Sequence, residues 1–183
     1  MSYRANLETA VTYINAKLVE RAQESLFKAL AGVPEDEKRS DNPVYLRILA
    51  LLAKTHFERN DQAGARKYVE EGLALSPNHP DFLFMNILHF WGVGRHEEMF
   101  GAVIAYIASL ITGGAEGTAC DFANEATLEE LFKTLVPRAY RKSSGKAEMK
   151  AVVEKMLAAT NSPLFARVCR IMNEIDAEAA DAG

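Results

Sequence analysis

Between Leu46 and His79 the apolar and small positions fall into two helical registers separated by a polar turn. Leu49, Leu52 and Ala53 recur at the spacing of one helix face, Ala65, Val69, Gly72 and Leu73 at that of a second, and Pro77 closes the pair. A matching window runs from Pro80 to Gly113: Leu83, Ile87 and Phe90 on a first helix, Gly94 in the turn, and Met99, Val103, Tyr106 and Ile107 on a second. Upstream, Tyr3 to Asp36 carries Ala10 and Tyr13, then Ala22, Leu26, Ala29 and Leu30, closed by Pro34, although Asn6 and Thr9 weaken its first helix. Nine mostly charged and polar residues, Glu37 to Tyr45, separate it from the next unit. They predict a solvated loop in which Pro43 opens the following helix. Each such hairpin has an apolar face that it cannot bury alone, so neighbours must stack. Small residues at Ala53, Ala65 and Gly72 are expected where two helices approach most closely.

Beyond Ile111 the pattern changes. Thr112 to Thr118 is Gly-rich and predicts a linker, and Thr127-Leu128-Glu129-Glu130 reads as a capping box that starts a new helix near Thr127. That helix runs toward Lys142 and contains Pro137, which removes a backbone donor and predicts a kink or split. Ser143-Ser144-Gly145 turns the chain. Met149, Val152, Val153, Met156 and Leu157 form one face of another helix, and Ser162-Pro163 starts a last one to about Asp176, with Ala177 to Gly183 expected to fray.

The 34-residue unit resembles the tetratricopeptide repeat (TPR), and Val93-Gly94-Arg95-His96-Glu97-Glu98-Met99 is similar to that family's Gly-x-x-Glu-Glu-Ala turn. The resemblance implies an all-α, right-handed superhelical stack of antiparallel helical hairpins. Residues 1–112 would form three hairpins, and 113–183 a diverged hairpin plus a capping helix in the same array. It further implies a non-enzymatic, chaperone-like scaffold or adaptor that binds a protein or peptide in a groove lined by the first helices. The inward positions would then be Arg47, Ala50, Lys54 and Phe57, followed by Asp81, Phe84, Leu88 and Trp91. The alternative is that the Thr127–Asp176 helices fold over this face and make it core. Leu7, Val11 and Leu88 stand where carboxylate-clamp members of the family need polar residues, so that partner class is not expected. The run Gly72 to Asp81 also looks like TPR segments attached to bacterial glycosyltransferases, but no Asp-x-Asp motif for sugar transfer is present. Self-association, or an accessory role beside a glycosyltransferase or secretion system, is the alternative function.

Composition narrows these readings without choosing among them. The 183 residues are 49% hydrophobic and 25% charged, with a formal net charge of -4 that is spread evenly along the chain. No basic half suggests nucleic acid. Arg138, Arg141, Lys142, Lys146 and Lys150 are interspersed with Glu148 and Glu154, a pattern that reads as a solvated surface. Cys120 and Cys169 lack metal-ligand spacing and suit reduced thiols of a cytoplasmic protein. His56, His79, His89 and His96 form no ligand-spaced pair, so neither metal nor cofactor is expected. Gly92-Val93-Gly94 and Ser144-Gly145-Lys146 are fragments of nucleotide-binding motifs that the helical register explains as turns. No signal peptide or membrane-spanning run is read, so no membrane insertion is expected.

Overall fold

The structure is a computed structural model that describes residues 2–113 and 120–181. Those residues form helices and their connections, without a strand. Three hairpins come first: α1 (Tyr3–Asn15) with α2 (Val19–Ala31), α3 (Pro43–Glu58) with α4 (Gln62–Leu75), and α5 (Pro80–Gly92) with α6 (His96–Ile111). Each hairpin packs on the next, α2 on α3, α4 on α5 and α3 on α5. Polar side chains set the starts. Ser2, Asn42 and Asp61 each accept backbone N–H bonds of the turn they open, and Pro43 and Pro80 sit where their missing N–H removes no helical bond.

The three hairpin turns are the same structure made from different residues. Lys17, Asn60 and Gly94 each stand two positions before the second helix with φ of 58°, 59° and 73°. In each, that residue's amide bonds the carbonyl three residues back and the following amide bonds the carbonyl five residues back. The pairs are Lys17 with Ile14 and Leu18 with Tyr13, Asn60 with Phe57 and Asp61 with His56, Gly94 with Trp91 and Arg95 with Phe90. This left-handed C-terminal cap satisfies the last carbonyls of the first helix while reversing the chain. Asn60 and Gly94 are 34 residues apart. The first interval is longer by the nine-residue insertion, and a short 3-10 turn, Glu35–Glu37, leads into it.

Packing follows the expected small residues. Ala53 and Ala65 are fully buried, and a Cβ added at Gly72 would overlap the ring of the fully buried Phe82. His56 fills an aromatic position, its ring 5.5 Å from Tyr68.

The C-terminal part contains α7 (Glu125–Glu130), α8 (Val136–Lys142), α9 (Lys146–Thr160) and α10 (Pro163–Asp181). Two details differ from the sequence reading. The helix starts earlier than the capping box suggested, because Asn124 accepts the Thr127 amide at 2.9 Å and leaves Thr127 inside the first turn. The tail does not fray at Ala177, since α10 continues to Asp181 and Glu178 accepts from Arg141 at 2.8 Å. Pro137 acts as expected, by a specific route: Leu131–Leu135 widens into a π-helical turn, which makes room for the proline ring before α8 resumes. α8 packs on α6 and α10, and α9 pairs with α10. The Gly-rich linker lies mostly outside the described residues. Among those residues, no helix is long and apolar enough to cross a membrane.

Candidate functional site

The face shared by α3 and α5 carries all the residues expected to line a groove, and the structure brings a segment of the same chain onto it. Arg47 donates two bonds to the Asp121 carboxylate, from Nε and Nη2, each 2.8 Å. Farther along α3, Lys54 lies over the Phe122 ring at 5.7 Å from its centroid and pairs with Glu58 at 3.7 Å. On α5, Phe84 stacks on Phe122, centroids 5.8 Å apart and planes at 13°, and also meets Tyr106. The Tyr106 hydroxyl donates to the Phe122 carbonyl at 2.5 Å.

Asp81 anchors this arrangement. Its side chain is fully buried, with Oδ2 accepting from the Asp121 amide at 3.0 Å and Oδ1 from the Phe122 amide at 2.9 Å. Burial pushes its carboxyl up to about 6, against the pull of those two amides. The Asp121 carboxylate opposes ionisation as well, and Arg47 favours it. A buried polar group without partners would cost more than one so bonded, and the docked backbone supplies the partners.

Phe84 is therefore not open to an incoming partner: it is 6% exposed and sealed by Phe122, not by the Thr127–Asp176 helices as the core alternative supposed. Trp91 is half-buried, and the Arg138 guanidinium lies 5.3 Å from its ring centroid. Phe57 and Leu88 are partly buried against the core. What stays open is the α1–α3 end. A cavity of about 340 Å³ lies there, lined by Leu7, Val11 and Val44 between Arg4, Glu8 and Arg47.

Sequence reasoning missed Asp121 and Phe122, which carry no periodic signal and sit beside the linker. It also missed that His79, Asp81 and Cys120 converge, with one potential ligand atom from each all within 4.8 Å of one another. His79 caps α5, its Nδ1 accepting the Asp81 amide at 3.3 Å, and burial pushes its imidazole below the usual range, so it is neutral near pH 7.

The basic residues of the C-terminal part are largely committed. Arg141 meets Glu178, Lys150 meets Asp176 at 3.1 Å, and Lys146 lies over Tyr140. Comparison with protein families, curated proteins and solved structures finds no match to this chain.

Proposed function

We propose that the chain is a non-enzymatic protein-interaction module. In this reading its hairpins form a TPR-like right-handed superhelical stack, capped by the C-terminal helices, and an extended peptide lies along the face made by α1, α3 and α5. One observation carries the reading. The chain already holds an acidic-aromatic stretch, Asp121-Phe122, on that face by the means a peptide groove uses: a bidentate arginine, a stacked aromatic and backbone bonds to a buried side chain. The partner's peptide occupies the neighbouring α1–α3 end, where Leu7, Val11 and Val44 offer apolar contact and Arg4 and Glu8 offer charges of opposite sign. A cytoplasmic location fits the reduced thiols and is part of the proposal.

The second reading is self-association. It draws on a cavity of about 400 Å³ between α6 and α9, lined by Phe100, Ile104, Met149 and the exposed Val152.

Affinity capture with the full chain and a Val11→Asp/Val44→Asp variant tests the first reading, alongside light-scattering mass. The adaptor reading expects a monomer and one specific protein lost from the variant's capture. A stable dimer that the variant retains, with the same captured proteins, contradicts it.

A further inference from the structure

The docking of the Asp121-Phe122 backbone fixes more than a lid over Phe84. Because consecutive amides of Asp121 and Phe122 bond the two oxygens of Asp81, the preceding residue, Cys120, is carried to the start of α5, where His79 and Asp81 lie. His79 is 3% exposed and Asp81 0%. One imidazole and one carboxylate from the start of α5 and one thiol from a segment far away in sequence thus bring a ligand atom each within 4.8 Å of one another.

We propose that His79, Asp81 and Cys120 bind one divalent transition-metal ion of the zinc class, with a fourth position left for solvent or a partner's side chain. The donor set decides the class. Sulfur and imidazole nitrogen suit zinc and its neighbours, whereas calcium and magnesium require oxygen. Ligand atoms around a tetrahedral zinc lie roughly 3.3–3.8 Å apart, given bonds of about 2.0–2.3 Å. The present spread therefore closes by about 1.5 Å or less, given those same bond lengths.

Asp81 keeps lone pairs for the metal, since each carboxylate oxygen accepts at two sites and each uses one for a backbone amide. Those amides orient it as outer-shell donors do in metal sites. If Nδ1 of His79 serves, the 3.3 Å bond from the Asp81 amide is given up, and that bond is already long. Binding converts the Cys120 S–H to a metal-bound thiolate and releases its proton to solvent. No nucleophile–histidine–carboxylate relay is formed instead, because His79 Nδ1 accepts from the Asp81 amide and, among the described residues, no bond joins the His79 ring to the Asp81 carboxylate. The consequence is structural: the ion ties the Cys120–Asn124 segment to α5, so that metal supply sets how firmly the α3–α5 face is closed.

The test titrates the metal-free full chain with Zn²⁺ against a chromophoric chelator. One equivalent is expected to bind. Cys120→Ser and His79→Asn, the latter keeping a capping side chain, should each weaken binding by at least about tenfold. Cys169→Ser should leave it unchanged. Co²⁺ loaded in place of Zn²⁺ should show thiolate-to-metal charge-transfer absorption that Cys120→Ser abolishes, with circular dichroism confirming that each variant is folded. Binding of less than about a tenth of an equivalent, or equal affinity in the parent and Cys120→Ser, overturns the proposal. Neither readout involves a partner, so its failure leaves the interaction reading standing and the reverse also holds.

Discussion

Single residues here show how the same substitution changes sign with its surroundings. Gly72 faces the Phe82 ring across the α4–α5 contact, so Gly72→Ala should destabilise by about 1–3 kcal/mol through overpacking, despite alanine's better helix propensity. Gly101, on the exposed side of α6, would place a Cβ in open space, with nothing within 4 Å, and should give the opposite result. There Gly101→Ala should stabilise by about 0.5–1 kcal/mol, and urea denaturation of both variants checks the pair. Lys17 holds the left-handed position that Gly94 and Asn60 fill in the other turns. Replacing it by glycine removes the steric cost of its Cβ, and Lys17→Gly should raise stability by about 0.5–1 kcal/mol in the same assay.

At the scale of elements, the hairpins were legible because they repeat local signals: small residues at close contacts, a turn residue at a fixed offset and, in the second and third, a proline at the start. Pro137 also announced a disturbance, though not that the backbone would widen ahead of it at Leu131–Leu135. The start of α7 was misplaced because two capping patterns overlap within four residues and Asn124 wins. The docked segment was not legible at all. Asp121 and Phe122 form bonds to Arg47, Asp81 and Tyr106 that are distant in sequence, and such pairings leave no period to read. The same blindness hid Cys120 beside His79 and Asp81. The docking itself is testable. Asp121→Ala removes a partly buried bidentate partner of Arg47 and should cost about 1–3 kcal/mol. Hydrogen exchange at the Phe122 amide, which Asp81 protects, should accelerate in that variant while amides in the middle of α4 stay slow.

At the scale of the molecule, α1 to α6 form three hairpins with the same turn geometry, and each packs on the next. On the face that α1, α3 and α5 present, one end is filled by the chain's own Asp121 and Phe122 and the other carries an apolar cavity rimmed by Arg4 and Arg47. The proposed function rests on that contrast. The most direct measurement is photo-crosslinking in cells from a reactive amino acid placed at Val11, with Lys155 on the outer side of α9 as the control position. The account predicts a crosslink from Val11 to a different protein, absent at Lys155. Crosslinks only to a second copy of this chain, or the same products from both positions, would contradict it.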